Sequence, residues 1–145
     1  MHLSISVSKK ISRAYSAACK PLCRELGLSQ TAFDILLFLG NNPAYKTASE
    51  IVEVRHIKPN LVSVNVERLV GEGYLLRQPV KGDRRKTELL CTPKAQPIID
   101  RGRQLQGEFS RQLFANVDEK DRAALVEILN RIESNLDDIL EANKT

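Results

Sequence analysis

A chain of 145 residues, of which 42% are hydrophobic and 28% charged, has the composition of one ordinary globular unit. Aromatic residues make up only 5% and tryptophan is absent, which argues against a stacking platform for single-stranded nucleic acid. The net charge of +4 is a mild basic bias, and the odd number of cysteines, three, does not suit a disulfide framework. Neither a signal peptide nor an apolar run of membrane length is visible, so we expect a cytoplasmic protein.

The charge is unevenly distributed along the chain. Residues 46–86 carry nine Lys or Arg against five Asp or Glu, whereas residues 116–145 carry four against eight. The middle of the chain can therefore attract a polyanion that the C-terminal segment repels. This polarity indicates a nucleic-acid-reading region joined to an assembly region.

The first predicted helix occupies the N-terminal segment. Leu3, Val7 and Ile11 recur at helical spacing and form one apolar stripe. Pro21 is expected to bend or loosen this helix near its C-terminal end, and Gly27 is expected to end it.

Two shorter helices are predicted next. Ser29 is placed to cap the second helix, which is apolar on most sides and must be central to the core. Gly40 is expected to end it. Thr47 and Glu50 have the spacing of a capping box and open a third helix that ends at about residue 54.

The fourth predicted helix begins at Pro59 and ends at the glycines of 71–73. Plotted at about 100° per residue, its inward face consists of Leu61, Val62, Val66, Leu69 and Val70. The outward residues are Asn60, Ser63, Val64, Glu67 and Arg68, with Asn65 on the border. Small polar side chains there suit a DNA major groove, where Asn and Ser can hydrogen-bond base edges and Val64 can pack on a thymine methyl. The helix pattern alone leaves a merely solvated amphipathic helix as an alternative.

A basic hairpin is predicted directly after this helix. Strands over 74–80 and 87–91 flank a turn at 82–85 that contains glycine and aspartate. Lys81, Arg84, Arg85 and Lys86 place four cations together, and these repel one another unless an anion binds. A helix followed by a strand, a basic tip and a second strand is the order of a winged-helix domain.

Two long helices are predicted after the hairpin. Thr92 is expected to cap a helix that begins at Pro93, with Pro97 near its start, and its apolar side consists of Ile98, Leu105, Phe109 and Leu113. Asp118 is expected to cap the last helix, which has a coiled-coil-like seam: Leu125, Leu129, Ile132, Leu136 and Ile139. One small domain offers no partner for these stripes and that of the first helix, so we predict a homodimer.

Several segments resemble the MarR-type transcriptional regulators. Asp83-x-Arg85, followed seven residues later by Thr92, is similar to the wing signature of that family. The stretch 28–37, the Ala48-x-x-Ile51 spacing and the run 67–75 (Glu-Arg-Leu, then Gly-Tyr-Leu) fit the same pattern. The similarity extends over nearly the whole chain, in the order of three helices, a recognition helix, a wing and two dimerising helices.

The resemblance implies a mainly α-helical fold with a small β-hairpin wing. The winged helix-turn-helix would occupy 29–92, and the dimerisation region would combine 1–28 with 93–145 in one intertwined unit. Asp83 would hold Arg85 or the wing backbone by an ion pair, and Arg84 or Arg85 would enter the minor groove. Two positions depart from the family: Val64 stands where many members carry a polar or basic residue, and Ala95 replaces the usual glycine after the wing.

These considerations define two sets of candidate site residues. The predicted DNA-binding residues are Lys58, Asn60, Ser63, Val64, Asn65, Arg68, Arg77, Lys81, Asp83, Arg84, Arg85 and Lys86. Within this set, the expected phosphate ligands are Lys58, Arg77, Lys81 and Lys86. The predicted dimerisation residues are Leu3, Val7, Ile11, Leu113, Leu125, Leu129, Ile132, Leu136 and Ile139.

The expected function is a dimeric, sequence-specific regulator of transcription that binds a pseudo-palindromic site in double-stranded DNA. Family analogy implies a repressor relieved by a small apolar or phenolic ligand. One alternative is a winged-helix protein-interaction module whose wing meets an acidic protein. The chain shows no nucleophile–base pair, acid pair or metal-ligand cluster, so we expect no enzymatic activity, metal or cofactor, and no membrane partner.

A second alternative is a thiol-based redox-responsive regulator. Cys19 and Cys23 lie four positions apart and share one helix face. The sequence favours the interpretation that both cysteines are small, buried hydrophobic residues.

Overall fold

The fold is mainly α-helical with one two-stranded antiparallel hairpin, as predicted. The computed structural model describes residues 2–144, and their side chains from residue 5 onward. Its elements are α1 (His2–Leu26), α2 (Gln30–Asn41), α3 (Ala48–Arg55), α4 (Pro59–Gly71), β1 (Leu75–Val80), β2 (Asp83–Cys91), a short 3-10 turn (Pro93–Ala95), α5 (Gln96–Leu113) and α6 (Glu119–Ala142). Residues 1–109 and 110–145 form two compact units. Within 2–144, no helix is both long and apolar enough to cross a membrane.

The core of the first unit is built around α2. Phe33, Ile35, Leu36 and Leu37 are almost completely buried, which confirms the central place predicted for this helix. Fully buried side chains from the surrounding elements complete the core, among them Cys19, Ile51, Val62, Leu69, Leu75 and Ile99. Because α2 is apolar on nearly every side, helices and the base of the hairpin must pack around it.

The caps at three helix starts follow the sequence. Ser29 accepts a hydrogen bond from the Ala32 amide at 3.1 Å, and Thr47 and Glu50 form the reciprocal capping box. Asp118 likewise accepts from the backbone amide three residues on, at 2.8 Å. Each contact satisfies an amide that the first helical turn leaves without a partner, so α2, α3 and α6 begin where predicted.

Gly40 does not end α2, contrary to the prediction. The helix continues to Asn41, and the Asn42 amide and side chain both bond the Phe38 carbonyl. A Cβ on Gly40 would lie 2.8 Å from Ile99 Cδ1, so the glycine provides space for α5 to approach α2. The Arg103 guanidinium secures the same junction through the Gly40 carbonyl, at 3.0 Å. This glycine is used for packing and not for its backbone freedom.

Thr92 does not cap the following helix either. Its hydroxyl donates to the Gly73 carbonyl at 2.6 Å, and its amide bonds the Tyr74 carbonyl. Pro93 begins a 3-10 turn, and α5 starts only at Gln96. Thr92 therefore closes the base of the hairpin, where Gly73, with φ of 83°, ends α4 in the left-handed region.

A glycine of α5, Gly102, provides a test of the close packing between α2 and α5. A Cβ on Gly102 would come within 2.8 Å of Leu37 Cδ1, whereas one on Gly107 of the same helix would meet nothing within 4 Å. We expect Gly102→Ala to lower the free energy of unfolding by about 1–3 kcal/mol through overpacking. Gly107→Ala should raise it by up to about 1 kcal/mol, because alanine favours the helix.

Urea unfolding of both variants beside the parent protein measures these differences. A Gly102→Ala variant as stable as Gly107→Ala would contradict the close contact between α5 and Leu37.

Asp34 on α2 gives the unit a pH dependence. Its carboxyl group is partly buried, and burial raises its pKa to about 6, with the Arg55 charge opposing the rise. Between about pH 4 and pH 6 the folded protein therefore holds a proton that the unfolded chain has lost, so the Asp34 contribution weakens folding as the pH rises. The rise in the pKa of Asp34 corresponds to a loss of about 3 kcal/mol of unfolding free energy once the pH is well above 6.

Asp34→Asn is expected to remove this contribution. The gain in unfolding free energy over the parent should grow from pH 4 to pH 6 and then level off. Chemical denaturation at several pH values measures it, and taking the difference cancels the other carboxylates. A gain that is the same at pH 4 and pH 7 would show that Asp34 titrates normally.

Candidate nucleic-acid interface

The outward face of α4 is only partly as predicted. Asn60, Ser63, Glu67 and Arg68 are exposed, and Val64 retains 67% of its surface. Leu61, predicted to face inward, is 44% exposed, because the buried stripe is narrower than expected and consists of Val62, Asn65, Val66 and Leu69. The outward face therefore carries two apolar side chains, where the sequence predicted one.

Asn65 cannot have the predicted role at the DNA-facing surface in this conformation. It is only 9% exposed, and both ends of its amide are bonded within the protein. Its Oδ1 accepts from the Ser29 hydroxyl at 2.8 Å, and its Nδ2 donates to the Leu61 carbonyl at 2.8 Å. A buried amide must find such partners, and here it fixes α4 to the start of α2. The border position in the helical projection did not reveal this.

Two predicted DNA-binding arginines are engaged within the protein. Arg68 donates to Glu72 at 3.1 Å and to the Gly27 carbonyl at 2.7 Å. Arg77 of β1 forms an ion pair with Glu67 of α4 at 2.7 Å. The second pair joins the hairpin to α4. Lys58 precedes α4 and is exposed, with its side chain making no cap contact.

The hairpin tip differs from the predicted turn. Lys81 and Gly82 alone connect the strands, with Gly82 at φ of 88°, and β2 already begins at Asp83. Pro79 pairs with Thr87, but the next residue, Val80, pairs with Asp83. The three residues 84–86 of β2 therefore have no partner on β1. An irregularity of this kind bends the strand and changes the direction of its side chains.

Asp83 organises the irregular segment through its side chain. The Arg85 amide donates to Asp83 Oδ1 at 3.0 Å, while no carboxylate–guanidinium pair joins these two residues within the described chain. The contact that the resemblance assigned to an ion pair is thus a hydrogen bond to the backbone. The Arg85 guanidinium takes no part in this hydrogen bond.

The cations of the hairpin tip are exposed. Among residues 2–144, Lys81, Arg84 and Arg85 have no carboxylate within ion-pair distance. Lys86 is also exposed, and its charge helps to hold the pKa of Glu50 below the usual range, after the stronger effects of the Lys46 amide and the Thr47 side chain. The tip therefore presents positive charge that internal carboxylates leave largely uncompensated.

Apolar side chains remain exposed on the predicted dimerisation helices. On α1, Val7 and Ile11 are exposed, and Leu3 lies outside the described side chains. Leu113, at the end of α5, is also exposed. In the second unit, α6 has no buried residue, and its whole predicted seam is exposed: Leu125, Leu129, Ile132, Leu136 and Ile139. A stripe of this size is unusual on the surface of a soluble monomer.

The cysteine pair has the environment of core residues. Cys19 is fully buried and Cys23 is 7% exposed. Burial raises the pKa of both thiols, that of Cys23 to about 11. Since the thiolate is the reactive form, neither sulfur is activated toward oxidants in this conformation.

A wide groove of about 760 Å³ lies beside α4 in the first unit. Its walls come from the second half of α1, the start of α2 and Arg68. Lys20, Arg24 and Arg68 contribute positive charge, and Ala17 and Leu28 contribute apolar surface. This mixture suits a small organic ligand with an acidic or phenolic group.

Comparison with known proteins agrees with the geometry. Residues 26–86 match the sequence model of the MarR family. The HTH-type transcriptional regulator PecS of Dickeya dadantii is 27% identical over 136 residues, which cover 92% of this chain and 82% of PecS. The solved structure of the transcriptional regulator PA3341 superposes with a TM-score of 0.82 at 26% identity, covering 92% of this chain and 97% of that one.

A second similar structure is that of Bordetella bronchiseptica BpsR, described for the regulation of its DNA binding by 6-hydroxynicotinic acid. It has a TM-score of 0.70 at 18% identity and covers 88% of this chain and 91% of its own. The family match over residues 26–86, the similarity to PecS and the shared fold together show that the chain is similar to winged-helix transcriptional regulators of the MarR type.

Proposed function

We propose that the protein is a homodimeric repressor that binds a pseudo-palindromic site in double-stranded DNA. In each protomer α4 enters a major groove, and the wing, residues 75–91, reaches the neighbouring minor groove. The observation that carries this proposal is the wing tip, where Arg84, Arg85 and Lys86 lie outside the β-ladder. We also propose that it acts in the cytoplasm, where genomic DNA lies in bacteria such as Dickeya dadantii, the source of PecS.

The wing supports the proposal through its charge and its backbone. Lys81, Arg84 and Arg85 are exposed and lack carboxylate partners within the described chain. The hydrogen bond that the Arg85 amide donates to the Asp83 carboxylate stiffens the tip, so fewer conformations are lost when it binds. Arginine in a narrow minor groove meets concentrated negative potential, and Lys81 or Lys86 can reach the flanking phosphates.

The exposed seam of α6 supports the dimer. A helix of 24 residues without a buried side chain gains no stability from packing in a single copy of the chain. A second copy offers an identical apolar stripe, and leucine and isoleucine at spacings of three and four suit helix-to-helix packing. A two-fold dimer would place its two α4 helices in major grooves about 34 Å apart.

The groove beside α4 supports regulation by a small ligand. A ligand bound between α1 and α4 would favour one position of α4 over another, which is the differential binding that allosteric control requires. The positive walls suit a phenolic or carboxylate group, as in the 6-hydroxynicotinic acid named for BpsR. Loss of DNA affinity on binding such a ligand would relieve repression.

The rival function is a protein-interaction module whose wing meets an acidic surface. The exposed apolar side chains of Val64 and Leu61 on α4 are compatible with either partner. Duplex DNA binding with a steep salt dependence and a preference for one inverted repeat distinguishes DNA from an acidic protein. The thiol-based alternative loses support because both N-terminal cysteines are buried and protonated.

The wing arginines give the first test. We expect Arg84→Ala and Arg85→Ala each to weaken binding to a duplex selected from a random pool, by about tenfold at moderate salt. The slope of log affinity against log salt should become shallower by about one for each phosphate that the variant no longer neutralises. Both side chains are exposed, so the melting temperature should remain that of the parent.

Arg131→Ala is the matched control, since it removes one exposed arginine from α6. It should leave both the affinity and the salt slope unchanged. If all three variants bind the duplex alike, the wing has no part in recognition.

The α6 seam gives the second test. Leu129→Asp is expected to convert the dimer to a monomer at micromolar concentration, because it places a charge within the apolar stripe. Ser134→Asp introduces the same charge on the opposite side of α6 and should leave the dimer intact. Sedimentation velocity measures both, and a monomeric parent protein would refute the dimer.

A further inference from the structure

The outward face of α4 offers few groups that can hydrogen-bond to bases. Asn65 is buried between α2 and α4, and Arg68 is bonded to Glu72 and to the Gly27 carbonyl. Glu67 is paired with Arg77. Only Asn60 and Ser63 are left as exposed neutral polar side chains on this helix.

Val64 lies at the centre of that face. In the helical projection it points away from the buried Val62 and Val66, one turn after Asn60. It retains 67% of its surface, the largest fraction among the exposed large apolar side chains of the described chain. Nothing in the core requires valine here, and a polar residue would be better hydrated.

Leu61 extends the apolar surface toward the start of the helix, where Lys58 is exposed. The two apolar side chains thus lie on the element that the proposed function inserts into the major groove, and the wing, which packs against α4 through β1, carries exposed cations. The positive surroundings favour a polyanionic partner over an apolar protein surface. The apolar group that a duplex displays in its major groove is the 5-methyl group of thymine.

We propose that Val64 is a specificity-determining residue that reads the thymine 5-methyl group in each half-site. This inference rests on the proposed function and adds a chemical preference to it. Val64 covers the methyl group, while Asn60 and Ser63 bond the edges of adjacent bases. Recognition in the major groove then depends on thymine methyl groups more than on guanine contacts, since no unpaired arginine lies on this face of α4 within residues 2–144.

Deoxyuridine provides the test, since it pairs as thymidine does but lacks the methyl group. A duplex is first selected from a random thymidine-containing pool with the parent protein. The same duplex is then synthesised with deoxyuridine at every thymidine position, and the affinities of both are measured. We expect the parent to lose about fourfold per half-site, as the apolar area of one methyl group requires.

Val64→Ala identifies the residue responsible. The variant should bind the thymidine duplex more weakly than the parent and should bind both duplexes with nearly equal affinity. Comparing the two proteins on both duplexes cancels any change in DNA shape caused by the missing methyl groups. Val117→Ala, which shortens an exposed valine of the second unit, should retain the parent's full preference for thymidine.

The outcomes separate this inference from the proposed function. Equal affinity of the parent for both duplexes overturns methyl recognition, although duplex binding stands. An equal loss in the parent and Val64→Ala overturns the assignment to Val64. If no duplex can be selected and no salt-dependent DNA binding is seen, the proposed function fails and this inference fails with it.

Discussion

The apolar character of α2 is the constraint from which the first unit follows. A helix buried on nearly all sides gains its stability only when other elements cover each of them. Close approach on the α5 side requires positions without a side chain, which Gly40 and Gly102 provide. The cover on the other side includes α4, whose inward residues Val62, Val66 and Leu69 belong to the same core. The orientation of the outward face of α4 is therefore set by the burial of α2.

Polar contacts refine that orientation and use up groups that would otherwise face outward. The Ser29–Asn65 bond fixes α4 to the start of α2, and the Arg77–Glu67 pair fixes the hairpin to α4. The Arg77–Glu67 pair is exposed, so it contributes little to the free energy of unfolding and acts mainly to position the hairpin relative to α4. What remains on the outward surface of α4 is an apolar centre with two small polar side chains, and the wing adds exposed cations. The position of the outward face of α4 and the chemistry of that face thus both depend on these two contacts.

The sequence predicted features that depend on local chemistry. The capping box, the Pro59 start of α4 and the order of helices and hairpin all follow from short-range rules, and they agree with the structure. Gly40, Thr92, Asn65 and Leu61 were misassigned because distant neighbours decide their roles. Ile99 meets Gly40 from 59 positions away in the chain, and Ser29 meets Asn65 from 36. A helical projection gives the direction of a side chain but not the width of the surface that covers it.

The irregular register of the hairpin also affects how the protein behaves in concentrated solution. A regular two-stranded ribbon exposes rows of backbone donors and acceptors to which another chain can add a strand. Here Pro79 offers no amide hydrogen, and the Arg85 amide is already bonded to Asp83. Residues 84–86 interrupt the ladder and carry positive charge, so a second wing would be repelled as well as mismatched. The irregular register that turns the cations outward therefore also opposes polymerisation through the edges of the hairpin.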